Sequence, residues 1–113
     1  MLSLPPSVRV FVCTVPTDMR RSFDGLAALA EQVLRQNPFS GHLFVFFNRP
    51  GDRVKILWWD RGGYAIYYRR LEEGTFQLPD ADDDAVEIDA TALAMILDGV
   101  DLAAERLPRY SRR

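Results

Sequence analysis

The chain has a single cysteine, a single histidine and a single lysine among its 113 residues. Cys13 alone can form no internal disulfide and no cysteine-based zinc site. It sits in an apolar stretch with no histidine beside it, the setting of a buried thiol rather than a nucleophile. His42 alone rules out a two-histidine metal centre or a histidine-pair nuclease within one chain, and at the start of an apolar strand it reads as structural. Long apolar runs are missing as well. Nothing approaches the roughly 18 to 20 consecutive apolar residues that span a bilayer, so no membrane association is expected. The opening, MLSLPPSVRV, has neither the basic start nor the apolar centre of a secretory signal, and a cytoplasmic location is expected.

Chemical signatures are equally sparse. No GxxxxGK[ST] run exists, and Asp60-Arg61-Gly62-Gly63 is too short and isolated to cradle phosphate. The acidic run from Asp80 fails as a calcium loop, because Ala85 and Thr91 stand where glycine and glutamate are required. Carboxylates are plentiful, but no spacing marks a catalytic pair. The expectation is a protein without catalytic residues, metal or cofactor.

What the chain does have is an ordinary globular composition, 48% hydrophobic and 27% charged. Its length suits one domain, placed at residues 1–105, with a basic tail at 106–113 expected to fray. The net charge of −2 conceals a strong segregation. Met1 to Pro79 carries ten basic and seven acidic residues; Asp80 to Glu105 carries nine acidic and no basic ones; the last eight residues, RLPRYSRR, carry four arginines. Thirteen of the fourteen basic residues are arginine, whose planar fork suits phosphate and carboxylate, although GC-rich coding produces the same bias.

Periodicity gives the elements. Arg9 to Val15 reads as a strand ended by Pro16. Ser22 to Gln36 reads as a helix, with Phe23, Leu26, Leu29, Ala30, Val33 and Leu34 on one stripe and Asn37-Pro38 as its stop. His42 to Asn48 is a continuous apolar strand, and Arg49-Pro50-Gly51-Asp52 a turn with the residues a type II turn favours. Arg53 to Asp60 and Tyr64 to Leu71 follow as strands joined by Arg61-Gly62. Thr75 to Leu78 is a candidate short strand, Asp80 to Asp84 an acidic loop, and Ala85 to Ile88 an edge strand. Asp89 caps a short helix through Leu97, which Gly99 ends. The fold class is α+β: an N-terminal strand and helix packed on an antiparallel β-meander, with a short C-terminal helix.

A two-residue turn at Arg61-Gly62 sets Trp59 opposite Tyr64, Leu57 opposite Ile66, Lys55 opposite Tyr68 and Arg53 opposite Arg70. One face then presents Arg53, Lys55, Leu57, Trp59, Tyr64, Ile66, Tyr68 and Arg70, while Val54, Ile56, Trp58, Ala65, Tyr67 and Arg69 share the other. A three-residue turn would mix the two sets. Interleaved cations and rings resemble the stacking platforms of nucleic-acid-binding proteins; the alternative is an aromatic core merely rimmed by cations. Lys55, between Val54 and Ile56, must point away from their apolar side chains and needs either a partner or an exposed position. Asp60 is too far along the strand to serve, so the expectation is a partly exposed Lys55 beside Tyr68, replaceable by alanine at little cost in stability.

Several blocks together resemble a known family. They are Asp18-Met19-Arg20-Arg21, Asp24-Gly25-Leu26, Pro38-Phe39-Ser40-Gly41, Lys55-Ile56-Leu57-Trp58-Trp59-Asp60 and Arg70-Leu71-Glu72, followed by Leu93 to Asp101. In this order they are similar to the accessory protein, often called Orf2 or TnpB, of the sixty-six family of bacterial insertion sequences. The resemblance covers about Val8 to Leu102. Glu73 and Thr75 depart from it, standing where that family usually has basic residues. It implies a small protein encoded beside a larger transposase and needed for efficient transposition. The implied role is a non-catalytic one that contacts DNA at the element ends, the cognate transposase, or both; the alternative is a module that docks on the transposase without touching DNA. The candidate contact residues are Arg20, Arg21, Arg49, Arg53, Lys55, Trp59, Tyr68, Arg69 and Arg70.

Overall fold

The computed structural model describes residues 4–99. The expected tail at 106–113 and the end of the last family block lie outside them. Behind the Pro5–Pro6 pair, four apolar residues form β1 (Val10–Cys13), and all four are buried, which demands cover on both faces. The helix α1 (Phe23–Gln32) buries Leu26 and Ala30, one turn apart, with Leu34 just beyond its end. It is shorter than its apolar stripe predicts. Past Gln32 the chain winds into a turn, where Arg35 adopts left-handed backbone (φ 57°) and the Gln36 N–H donates back to the Ala30 carbonyl at 3.0 Å.

Three antiparallel strands follow, β2 (Leu43–Phe47), β3 (Arg53–Asp60) and β4 (Gly63–Arg70), then β5 (Ala85–Ile88) and α2 (Ala90–Leu97). The sheet order is β4-β3-β2-β1-β5. The α+β class and the meander are as expected, with one refinement. β1 does not pack on the meander but continues its sheet, pairing in parallel with β2 and antiparallel with β5. A parallel pair needs a crossover, and α1 provides it. β5 is the outer edge strand, as its short, mixed sequence suggests.

Strand alternation divides the core in two. On one face Val10, Val12, Leu43, Val45, Phe47, Val54 and Ile56 meet Leu93, Ile96 and Leu97 of α2. On the other, Phe11, Cys13, Phe44, Phe46 and Leu57 meet Leu26, Ala30 and Leu34. Asp89 caps α2 by accepting from the Ala92 N–H at 2.7 Å.

The candidate strand at Thr75 to Leu78 does not form. It belongs to an irregular strap from Leu71 to Leu78, tied at two points to the β2–β3 turn, through Leu71 N–H to the Asp52 carbonyl and Phe76 N–H to the Gly51 carbonyl, both 2.8 Å. Phe76 is what its apolar pattern reports: it inserts into the α2-side core against Phe47 rather than into a ladder. The turn also differs from expectation. Its hydrogen bond closes from Gly51 N–H onto the Asn48 carbonyl, one residue early, with Gly51 at φ 80°.

Candidate nucleic-acid and partner interface

The β3–β4 hairpin has the two-residue turn, with Arg61 (φ 45°) and Gly62 (φ 91°) both left-handed, as in a type I′ turn. The register is the one its sequence predicts: Arg53 opposite Arg70, Lys55 opposite Tyr68, Trp59 opposite Tyr64. The interleaved face therefore exists, but it is not one surface. It has a cationic end, a buried centre and an aromatic end, and Arg53 and Trp59 lie roughly 20 Å apart along the strand.

The cationic end is built by three segments. The connection before α1 is stitched to the sheet by Thr17 N–H donating to the Phe47 carbonyl at 2.8 Å. Asp18 then folds its carboxylate back onto Arg20, accepting from the Arg20 backbone N–H at 2.9 Å and pairing with its guanidinium at 2.7 Å. Those hydrogen bonds, the guanidinium's first, hold the Asp18 carboxyl at a pKa of about 2. The Arg20 side chain remains almost fully in solvent. Arg21 lays its stem over Gly25, where a Cβ would come within 3.2 Å of the Arg21 Cβ; this is why α1 tolerates a glycine in its first turn.

The second segment is the β2–β3 turn, organised by Asn48. Its Oδ1 accepts from the N–H groups of Gly51 and Arg53, each at 3.0 Å, and its Nδ2 donates to Asp52 at 2.7 Å. This presents Arg49 to solvent. The third is the β3–β4 ladder, where Arg53 donates to the Tyr68 hydroxyl at 2.9 Å and Arg70 pairs with Glu72 at 2.9 Å. An open groove of about 510 Å³ lies between Pro16–Met19, Asn48–Arg49 and Arg53. A smaller recess of about 350 Å³, walled by Arg53, Tyr68, Arg70 and Glu72, shares Arg53 with it. Among the described residues, Arg21, Arg49 and Arg53 form no ion pair with a carboxylate.

Lys55 departs from expectation. It is 8% exposed, and its Nζ donates to the carbonyls of Met19 at 2.7 Å and Arg21 at 2.8 Å while lying 4.7 Å from the centre of the Tyr68 ring. The predicted neighbour is correct and the predicted exposure is not. Lys55 satisfies its burial through backbone oxygens of the segment that covers it, so it ties the Arg20–Arg21 loop to the sheet.

Two other candidates stand apart. Arg69 points to the opposite face, where its guanidinium donates to the Leu97 carbonyl at the C-terminus of α2 at 2.7 Å and lies over Phe76. Trp59 belongs to the aromatic end, with Tyr64 and Phe39. Sequence reasoning missed Asn48 and Phe39 as site residues. Asn48 carried a signal, an asparagine opening a Pro-Gly turn; Phe39 carried one too, a lone aromatic in a polar connection.

His42 accepts the Arg9 N–H on Nδ1 at 3.0 Å and packs edge-on against Phe11, a structural position. Cys13 is buried, and desolvation pushes its thiol pKa up. Among the described residues no cluster of three or more His, Cys, Asp or Glu side chains is arranged to hold a metal ion, and no helix is long and apolar enough to cross a membrane.

A family model described as IS66 Orf2 like protein matches residues 8–106. Two similar proteins come from Sinorhizobium fredii. The uncharacterized protein y4hO is 40% identical over 101 residues, covering 89% of this chain and 88% of its own length. The uncharacterized protein y4jC is 32% identical over 101 residues, covering 89% and 86%. No solved structure matches the chain.

Proposed function

This chain belongs to the IS66 Orf2-like family, and on that premise we propose that it serves insertion-sequence transposition as a non-catalytic accessory protein that contacts DNA through its arginine-bearing end. The observation that carries this reading is the separation of charge by strand order. Arg53 and Arg70 lie on β3 and β4, with Arg20, Arg21 and Arg49 on loops at that end. Asp80 to Asp84, Glu87 and Asp89 surround β5, three strand spacings from β3 and four from β4, or roughly 14 and 19 Å. A duplex approaching the β4 side meets these arginines, with Asp18, Asp52 and Glu72 among them, and leaves the acidic run around β5 behind it.

A like-charge pair directly across a ladder, such as Arg53 and Arg70, costs stability on its own. A phosphate lying between the two removes that cost. The test is fluorescence anisotropy with the element's terminal duplex and a random duplex at two salt concentrations. Affinity should fall steeply with salt, and Arg49→Ala with Arg53→Ala should flatten the logarithmic salt slope by about 0.9 for each phosphate that is no longer neutralised. If neither duplex binds at low salt, direct DNA contact is wrong.

The second reading, docking on the transposase without DNA, draws on the acidic edge. Its loop is held in place by Thr14, whose N–H and hydroxyl donate to the carbonyls of Asp84 and Asp83 at 2.8 and 2.7 Å. A fixed acidic rim would attract a basic partner and raise its association rate. Retention of the cognate transposase in pull-down, lost when Asp82, Asp83 and Asp84 become asparagine, would support it.

A further inference from the structure

At the far end of the β3–β4 ribbon from the arginines, three rings form a small cluster, Phe39 exposed and Trp59 and Tyr64 half-buried. Trp59 and Tyr64 are cross-strand partners whose rings meet edge to face at 5.0 Å and 84°. Phe39 meets Trp59 in the same way at 5.0 Å and stacks on Tyr64 at 5.8 Å and 22°. Phe39 reaches them from the connection after α1. A tight turn lifts it there: Asn37 accepts the Phe39 N–H on its side chain at 2.9 Å and the Ser40 N–H on its carbonyl at 3.1 Å, with Pro38 buried beneath. Phe39 is nevertheless 58% exposed, the most exposed of the large hydrophobic side chains among the described residues. A ring held rigidly by its neighbours while presenting most of its surface to water has the form of a contact anchor.

The fringe of this cluster decides what it suits. Asp24 and Glu31 stand two turns apart on one side of α1, the helix that packs on β3 and β4, and their charges raise the Tyr64 phenol pKa further after burial has raised it first. Asp60 follows Trp59 and pairs with Arg61 at 3.2 Å. Rings bordered by carboxylates repel a phosphate backbone. They suit guanidinium groups, which stack on ring faces and donate two parallel hydrogen bonds to a carboxylate.

We propose that the Phe39–Trp59–Tyr64 surface, fringed by Asp24 and Glu31, is a docking site for an arginine-bearing segment of a partner protein. It is a second surface, separate from the arginine-bearing end, and does not depend on DNA contact there. The chain would thus carry two recognition surfaces of opposite preference on one sheet face.

The two tryptophans supply a direct test, because Trp58 packs on the α2 side and Trp59 on this surface. The full chain is titrated with a short alternating Arg-Gly peptide while the two indole N–H resonances, assigned with Trp58→Phe, are followed by NMR. Trp59 should move and Trp58 should not. Phe39→Ala and, separately, Glu31→Gln should each weaken the peptide by about fivefold while circular dichroism shows the fold retained. An unmoved Trp59, or equal binding by Phe39→Ala, overturns the proposal. So does a short oligothymidylate that shifts Trp59 as strongly as the peptide, which would make the surface a base-stacking platform instead.

Discussion

Lys55 takes two backbone carbonyls in place of a carboxylate, and this makes it a structural residue of the candidate interface. A side chain with one charge and several donors is buried without penalty only when those donors are used, and the Met19 and Arg21 oxygens use two of them. Lys55→Met keeps the stem and removes the donors, leaving both carbonyls without their partner. It should cost about 2 kcal/mol in chemical denaturation and weaken DNA binding indirectly, by releasing Arg20 and Arg21. An unchanged denaturation midpoint would show that the loop holds without it. Asp18 acts on the same loop through its hydrogen bonds to Arg20. Its pKa of about 2 lies below the ordinary 3.8, so its contribution is fully present above the ordinary value and is lost as pH falls toward 2. Asp18→Asn should therefore lower stability near neutrality and make the acid limb of the stability–pH curve shallower between those two values, as followed by thermal melts across that range.

At the scale of elements, both non-glycine residues with left-handed backbone among those described are arginines, at the end of α1 and at the hairpin tip. Arg61 occupies the first central position of a type I′ turn, where asparagine or glycine is favoured because a bulky side chain there is strained. Arg61→Asn should relieve about 0.5 kcal/mol and raise the thermal midpoint by roughly 2–4 °C, with the register unchanged. The loss of the Asp60 pair does not offset this, since both partners are largely in solvent and such pairs contribute little. The strap from Leu71 to Leu78 shows the converse case, a largely polar stretch anchored by Leu71, the Phe76 ring and two hydrogen bonds without pairing as a strand.

Across the whole molecule, strand order sets the field. Had β5 paired beside β4, the acidic loop would flank Arg70; pairing with β1 instead places β5 and β4 at opposite edges of the sheet. The lateral separation, roughly 14 Å from β3 and 19 Å from β4, exceeds the screening length of about 10 Å at 0.1 M salt but not that of about 30 Å at 0.01 M. Replacing Asp82, Asp83 and Asp84 with asparagine should therefore raise affinity for any duplex a few-fold at low salt and leave it unchanged near physiological salt, by anisotropy. Thr14 binds backbone oxygens of that loop, so the substitution leaves its anchorage intact.

The sequence alone determined where the elements that form lie, though it added a strand at Thr75 to Leu78 that does not form, together with the register of a two-residue hairpin turn and the requirement that Lys55 be either partnered or exposed. Each follows from short-range geometry: the period of apolar residues, the two-residue turn with its glycine, and the alternation that puts Lys55 on the opposite face from Val54 and Ile56. It also placed Arg53, Tyr68 and Arg70 together, because cross-strand neighbours are set once the turn is known. Only the tertiary structure decided what covers each face. Lys55 finds its acceptors 36 and 34 residues away, on a loop no strand periodicity points to. Arg69 turns toward α2, Phe39 joins rings from a different element, and β1 enters the sheet beside β2 instead of lying on it. These choices rest on which segment can bury a surface and satisfy its polar atoms at the same time. That is settled by packing among residues distant in the chain, where local pattern has no purchase.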